Sequence, residues 1–225
     1  MKIIATIKND FVSKFGIPRQ SGLIDAESKI IFKPEYRNSE ALRGLEGYSH
    51  IWIIWEFSES KIDKWKPTVR PPKLGGNKRV GVFATRSPFR PNPIGLSCVK
   101  IKSIDLNTEN GPVITVLGAD IMNDTPIYDI KPYVPYSDSH PEAIGGFSDQ
   151  HLNEKLKVSF SDTAINKIPE DKKQLIIKLL EQNPKPAYQK DPNKIYSFEY
   201  ANMRLKFTVW GNTLTILDCF LIKSP

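Results

Sequence analysis

The sequence predicts a mainly β protein, with an N-terminal single-sheet β-barrel domain and a small C-terminal α+β domain. Short β-branched and aromatic runs separated by turn residues fill the first part of the chain, which is typical of an all-β barrel. One amphipathic helix pattern and three strand patterns fill the last part. Composition shifts to Ser, Asp, Pro and Gly between Tyr136 and Phe147. We therefore expect domains at residues 1–140 and 141–225.

In the first domain, the run from His50 to Phe57 is the clearest strand. It is β-branched and aromatic with almost no polar interruption, which predicts a strand buried on both faces. Further strands are expected at residues 2–8, 29–32, 96–105, 113–122 and 127–134. No G-x-G-x-x-G follows a strand, so nothing supports a dinucleotide-binding fold.

In the second domain, Glu170 to Gln182 is the clearest helix. Its acids lie in the first turn, where the helix dipole favours them, and Asn183-Pro184 ends it. Strands in meander order are expected at residues 195–201, 204–210 and 213–221, with a turn at Trp210-Gly211-Asn212.

Composition excludes several classes of protein. No apolar run approaches the roughly 18 residues of a membrane span, and the N-terminus resembles a first strand instead of a signal peptide. The three histidines and two cysteines have no metal-ligand spacing, so no metal is expected. Cys98 and Cys219 lie in apolar runs and are expected to be buried thiols, which fits a cytoplasmic protein.

Positive charge is concentrated in one stretch, Lys61 to Arg90, which we call the basic segment. It holds nine basic residues and one acid, giving +8 against +7 for the whole chain. Trp65, Phe83 and Phe89 are interleaved with these charges. Basic residues mixed with aromatics predict a nucleic-acid surface. The phosphate contacts are expected from Lys64, Lys66, Arg70, Lys73, Lys78 and Arg79.

The basic segment ends in a stiff loop within V-G-V-F-A-T-R-S-P-F-R-P-N-P-I-G-L-S-C-V-K-I, from Val80 to Ile101. Prolines at 88, 91 and 93 fix the backbone and keep their preceding residues extended. Arg86 and Arg90 should therefore lose little entropy on binding. A guanidinium matches a carboxylate or phosphate with two parallel hydrogen bonds, so an anion contact is predicted.

The run G-V-F-A-T-R-S-P-F-R-P-N-P-I-G-L-S resembles the signature of the TsaA-like family, whose tRNA-modifying branch is tRNA methyltransferase O. Three more motifs are similar in order and spacing: P-R-Q, L-E-G-Y-S-H-I-W, and T-P-I-Y-D-I-K-P-Y. The tail around Pro186-Ala187-Tyr188 resembles the C-terminal extension of the enzyme branch. The resemblance thus covers nearly the whole chain.

This resemblance implies an S-adenosylmethionine-dependent methyltransferase acting on N6 of N6-threonylcarbamoyladenosine beside the tRNA anticodon. It implies a homodimer with each cofactor near the subunit interface, and a P-R-Q loop that closes over the cofactor. The cofactor residues that it implies are Pro18, Arg19, Gln20, His50, Ile51, Arg86, Leu96, Asn123, Asp124, Thr125 and Pro126.

The sequence departs from the family pattern at Asn123-Asp124-Thr125-Pro126, where the family usually shows Asp-Gly-Thr-Pro. If the second position needs a positive φ, Asp is among the few residues that tolerate it, and the turn survives. A contact made by the family's first carboxylate would be weakened by Asn123.

Catalytic roles are expected for Asp129, Arg90 and Asn92. Asp129 and Lys131 lie on one side of an extended segment. Asp129 could orient the methylated nitrogen or accept its proton, or the two could form an ion pair on the barrel rim. Both readings stay open, as do two other functions: a non-catalytic barrel that binds S-adenosylmethionine or RNA, and a small-molecule methyltransferase, which the basic segment disfavours.

Overall fold

The structure is a computed structural model that describes residues 1–60, 62–151, 155–185, 189, 191 and 193–222; the side chains of residues 73, 150 and 151 are also outside the description. Its strands are β1 (Ala5–Lys8), β2 (Glu27–Phe32), β3 (His50–Glu56), β4 (Thr68–Val69), β5 (Val80–Gly81), β6 (Ile94–Thr108), β7 (Gly111–Leu117), β8 (Pro126–Pro132), β9 (Lys157–Phe160), β10 (Tyr196–Tyr200), β11 (Met203–Trp210) and β12 (Thr213–Leu221). Its α-helices are α1 (Pro135–Asp138), α2 (Asp162–Ile165) and α3 (Glu170–Glu181).

Six of the described strands close into an antiparallel barrel in the order β1-β2-β7-β6-β3-β8, with β8 pairing back to β1. This confirms the predicted mainly β fold and its barrel. The core inside the barrel is made of alternate residues of each strand, such as Ile51, Ile53 and Trp55 of β3. A closed sheet has no free edge, so every barrel strand satisfies its backbone on both sides.

The prediction that β3 is buried on both faces is wrong. Ile51, Ile53 and Trp55 are buried, but the alternate residues of the strand are only half-buried. The apolar run suggested a central strand of a layered sheet, whereas a barrel strand has one inner and one outer face. Trp52 is half-buried, and its Nε1 donates to Asp138 Oδ2 over 2.9 Å.

The C-terminal part forms a four-stranded sheet in the order β10-β11-β12-β9. The predicted helix and the three-strand meander are confirmed. β9 was not predicted; it runs parallel to β12 from Lys157 and Val158 onward. Helix α3 covers one face through Ile176, Leu179 and Leu180. The predicted turn after Trp210 is present, with Gly211 at φ 54°.

The loop between β1 and β2 belongs to this second core, and we call residues 9–26 the anchored loop. Phe11 and Ile24 are almost fully buried in the second cluster, and Phe15 packs against it. The rings of Phe11 and Tyr200 lie 5.3 Å apart. The barrel and the C-terminal sheet are therefore joined by a loop that starts and ends in the barrel.

Three connections meet at one end of the barrel. They are the anchored loop, the β3–β6 connection that contains the basic segment, and the β7–β8 connection from Gly118 to Thr125. Antiparallel neighbours place alternate connections at the same end. Residues far apart in the sequence are thereby brought together there. Among the described residues no helix is long and apolar enough to cross a membrane.

Candidate functional site

Gln20 and Arg86 form the contact that joins two of these connections. The Arg86 Nη1 donates to Gln20 Oε1, which ties the anchored loop to the basic segment. The Arg86 side chain is exposed, and Gln20 is half-buried. A stiff, solvent-facing guanidinium keeps donors available for an anion.

Packing in the barrel wall explains the sequence Gly95-Leu96-Ser97 at the start of β6. Gly95 pairs with Trp55 across β3 and β6, and a Cβ on Gly95 would lie 2.2 Å from the Trp55 indole. Ser97 is fully buried and accepts from Trp55 Nε1 over 2.9 Å. Leu96 therefore points outward, with 53% of its surface exposed.

Asp120 is a functional candidate that the sequence reasoning missed. Ser97 Oγ donates to Asp120 Oδ1 over 2.5 Å, and the Ser21 amide also donates to the carboxylate. Burial raises the pKa of Asp120 despite these hydrogen bonds and the nearby Arg86 charge. The available signal was a lone acid in an otherwise apolar run, which was assigned to a strand. That strand ends earlier, at Leu117.

On the outer wall of the barrel, Leu96, Ile54 and Asp129 form one row. Ile54 pairs with Leu96 on β6 and with Asp129 on β8. Adjacent strands lie about 4.8 Å apart, so Leu96 and Asp129 are separated by about 10 Å. Asp129 Oδ2 lies 3.1 Å from Lys131 Nζ, so the two predicted neighbours do share a side.

Ile54 and Asp129 of this row line a groove of about 390 Å³. A smaller cavity of about 90 Å³ shares Met1 and Tyr128 with this groove. Asp129 lines the larger space and Asn92 the smaller one. Sequence reasoning missed Glu56 and Tyr128, which face the smaller cavity together. Burial, followed by a hydrogen bond to Glu56, raises the pKa of Tyr128 to about 12.

Two more arginines of the predicted site, Arg90 and Arg19, hydrogen-bond to backbone carbonyls of the protein. Arg90 Nη1 donates to the carbonyl of Thr85 over 3.1 Å, which closes the proline-rich loop on itself. Arg19 Nη2 donates to the carbonyl of Asn183 over 2.9 Å, at the end of α3. Pro18, beside it, is buried. The P-R-Q sequence is thus held by the C-terminal part while Gln20 reaches the barrel.

His50 lies away from the Arg86–Gln20 pair. It pairs with Lys100, four residues along β6 from Leu96, or about 13 Å at the usual strand rise. Its Nδ1 is 2.9 Å from Ser49 Oγ. The Ile51 side chain is fully buried inside the barrel, so only its backbone faces outward.

The departure at Asn123-Asp124 preserves the turn. Asp124 adopts φ 63°, a positive value that Asp is among the few residues to tolerate. Asn123 Oδ1 accepts from the Asn9 amide over 3.0 Å, a role that a carboxylate oxygen would also fill. Lys8 pairs with Asp124. Thr125 is buried, and Pro126 begins β8.

The basic segment is largely solvent-exposed. Its described part is organised by the two-stranded ribbon of β4 and β5, and Val82 is buried beneath it. Residues 82–84 form a 3₁₀ turn after this ribbon. Lys61 and the Lys73 side chain lie outside the described residues. The candidate phosphate contacts with exposed side chains are Lys64, Lys66, Arg70, Lys78 and Arg79.

Comparison with known proteins gives matches over both parts of the chain. Residues 6–139 match the tRNA-methyltransferase O N-terminal domain family, and residues 153–221 match the TrmO C-terminal domain family. The Pro186-Ala187-Tyr188 motif falls within the second match but outside the described residues.

Individual relatives agree with these matches. The chain is 38% identical over 216 residues to the Escherichia coli protein named tRNA (adenine(37)-N6)-methyltransferase, covering 92% of this chain and 91% of that one. It is 40% identical over 163 residues to a protein of the same name from Eikenella corrodens, covering 72% of this chain and 91% of the relative.

A solved structure described as TrmO from Pseudomonas aeruginosa superimposes with a TM-score of 0.77 at 29% identity, over 97% of this chain and 95% of the other. The family resemblance that the motif around Arg86 indicated is therefore confirmed, and it extends over nearly the whole chain. This protein belongs to the tRNA methyltransferase O family.

Proposed function

We propose that the protein is an S-adenosylmethionine-dependent tRNA methyltransferase that methylates N6 of N6-threonylcarbamoyladenosine next to the anticodon. The carrying observation is the Arg86–Gln20 contact beside exposed Leu96, within a chain similar from end to end to tRNA (adenine(37)-N6)-methyltransferases. The basic segment at the same end of the barrel supports a tRNA substrate.

The residues present fit the cofactor. S-adenosylmethionine has a carboxylate, an adenosine and a sulfonium, and when bound it supplies an activated methyl group. Exposed Arg86 offers donors to the carboxylate, and Leu96 offers an apolar surface to the adenosine. We assign supporting contacts to Pro18, Arg19, Gln20, His50, the Ile51 backbone, and Asn123, Asp124, Thr125 and Pro126.

The reaction requires alignment more than acid–base strength. Holding the two reactants in line can supply roughly 7–11 kcal/mol of a displacement barrier. The row from Leu96 to Asp129 places a carboxylate about 10 Å from the proposed cofactor surface, with Ile54 between them. Asp129 orients the acceptor nitrogen and takes the proton that it releases.

Arg90 and Asn92 complete the catalytic assignment. Arg90 holds the proline-rich loop through its bond to Thr85, which fixes the position of Asn92 three residues before Gly95. Asn92 lines the cavity that adjoins the groove of Asp129. Its amide can bond to the carbamoyl group of the modified adenine.

We assign the anticodon stem to the basic segment. Its exposed lysines and arginines neutralise phosphates, and Trp65 and Phe83, with ring centroids 6.1 Å apart, offer a surface for bases. Lys73 joins the proposed phosphate contacts on the sequence alone.

We further assign the protein to the cytoplasm, as a homodimer of chains with domains at residues 1–140 and 141–225. The separate barrel and C-terminal cores support this division, although the anchored loop packs on the second core. The exposed apolar side chains of β6, Ile94, Leu96 and Leu106, support a subunit contact on that wall. Sedimentation velocity giving a monomer at micromolar concentration would contradict the dimer.

The test of the function is methyl transfer by the purified protein. Threonylcarbamoylated tRNA is incubated with S-adenosylmethionine, digested to nucleosides and examined by mass spectrometry. We expect a 14-dalton gain confined to N6-threonylcarbamoyladenosine, and none with unmodified tRNA. Tight binding of both ligands without transfer would favour the non-catalytic barrel instead.

A further inference from the structure

Asp120 connects every element that meets at the Arg86 end of the barrel. Its carboxylate accepts from Ser97 Oγ on β6 and from the Ser21 amide of the anchored loop. Its charge also acts on Arg86 in the basic segment. Asp120 itself belongs to the β7–β8 connection.

Behind Asp120, the barrel wall supplies two buried residues, Trp55 and Ser97. Trp55 Nε1 donates to Ser97 Oγ, which leaves the Ser97 hydrogen directed to Asp120. Ser21 is fixed a second time, because its Oγ accepts from the Cys98 amide over 3.2 Å. The position of the carboxylate is therefore set by the barrel wall and not by solvent.

Arg86 lies at the exposed side of this network. Its described contacts are the hydrogen bond to Gln20 and the attraction of Asp120. Gln20 directly precedes Ser21, which donates to the same carboxylate. The half-buried Asp120 thus adjoins both members of the Arg86–Gln20 pair.

We propose that Asp120 is a positioning residue for the cofactor, holding Arg86 and Gln20 in their binding arrangement through its charge and its bond to Ser21. This inference rests on the proposed function of Arg86. No contact between Asp120 and the cofactor is required.

The ionised form of Asp120 lowers the free energy of unfolding, because burial disfavours its charge in the folded protein. Burial raises the pKa of Asp120 in the folded protein, so the stability that it contributes is complete below the pKa of an unfolded aspartate and is lost as pH rises through the folded pKa. Asp120→Asn keeps an acceptor for Ser97 and Ser21 but carries no charge. We expect this variant to melt at or above the wild-type temperature at pH 7, with no gain near pH 3.

The test is a double-mutant cycle on cofactor binding, measured by calorimetry with Asp120→Asn, Arg86→Ala and the combined variant. Asp120→Asn is expected to weaken S-adenosylmethionine binding by about three- to tenfold in the wild-type background, but hardly at all once Arg86 is replaced. Asp218→Asn is the matched control, because it removes a hydrogen-bonded acid from the C-terminal sheet. Its cofactor affinity should equal that of the wild type.

Three results with Asp120→Asn would overturn the proposal: wild-type cofactor affinity, an equal loss of affinity with and without Arg86, or a large fall in the melting temperature of the variant. The last would make Asp120 a structural residue. If Arg86→Ala itself binds the cofactor normally, the proposed cofactor site is wrong, and the inference with it. If Arg86→Ala weakens binding and Asp120→Asn does not, only the inference fails.

Discussion

The anchored loop and the basic segment leave the same end of the barrel, yet the first buries an aromatic side chain and the second exposes one. Phe11 in the anchored loop is 1% exposed, whereas Phe83 in the basic segment is 73% exposed. The anchored loop is ordered by the second core. The described part of the basic segment is ordered by prolines and a two-residue ribbon.

This contrast separates two uses of apolar surface. Burying a phenylalanine stabilises the folded state, and an exposed one contributes little until a partner covers it. The anchored loop therefore presents Gln20 on a fixed base, and the basic segment keeps Trp65 and Phe83 for a ligand. Three experiments can break or sharpen this comparison.

The largest expected effect comes from truncating one phenylalanine in each region. Phe11→Ala should lower the free energy of unfolding by about 3–5 kcal/mol, because it leaves a cavity in the second core. Phe83→Ala should leave that free energy nearly unchanged but weaken tRNA binding by about 1–3 kcal/mol, the range for base stacking. Urea unfolding and tRNA titration measure the two quantities. Equal losses of stability would refute the contrast.

A smaller effect is expected from two glycines with similar backbone angles. Gly16 has φ 89°, and a Cβ there would lie 2.1 Å from the Phe198 ring; Gly75 has φ 73° with open space around it. Gly16→Ala should lower the free energy of unfolding by about 1–3 kcal/mol more than Gly75→Ala does. Both variants are strained by the positive φ, but only the first must displace a buried ring.

The same pair tests the link to the cofactor. Gly16→Ala should also weaken S-adenosylmethionine binding, because Gln20 lies four residues further along the anchored loop. Gly75→Ala should not. Normal cofactor affinity in a destabilised Gly16→Ala protein would mean that the second core does not position the loop.

The smallest expected effect is on the salt dependence of tRNA binding. Replacing Lys66 and Lys78 together by Gln should reduce the slope of log affinity against log salt by about 1.4–1.8, at roughly 0.7–0.9 per phosphate contact. Lys167, which follows α2, and Lys206 on β11 are the matched pair in the C-terminal part, where both lie over the Phe220 ring. If the second pair changes the slope and the first does not, tRNA docks on the C-terminal sheet.

Local patterns were sufficient for most elements of the fold. The β-branched runs gave the barrel strands, and the stripe of Ile176, Leu179 and Leu180 gave α3. Two errors had one physical cause: burial depends on what packs against a segment. The outer side of β3 is therefore half-open, and the apolar run after Val113 stops being a strand at Leu117.

The candidate site was predictable only in part. Arg86, Gln20 and Asp124 were predicted because each lies in a contiguous motif that resembles the family, and their binding roles stay predictions. Glu56, Tyr128 and Asp120 were missed because each gains its partner from another strand or connection. Sequence spacing carries no information on such contacts.

The sequence by itself determined the fold class, the basic segment, the stiff arginine loop and the family, because these follow from local backbone preferences, charge and contiguous motifs. Only the tertiary structure decided that the anchored loop packs on the C-terminal sheet and that Asp120 lies behind Arg86. Closing a barrel brings separate connections to one end, and the pairing register fixes which side chains meet there.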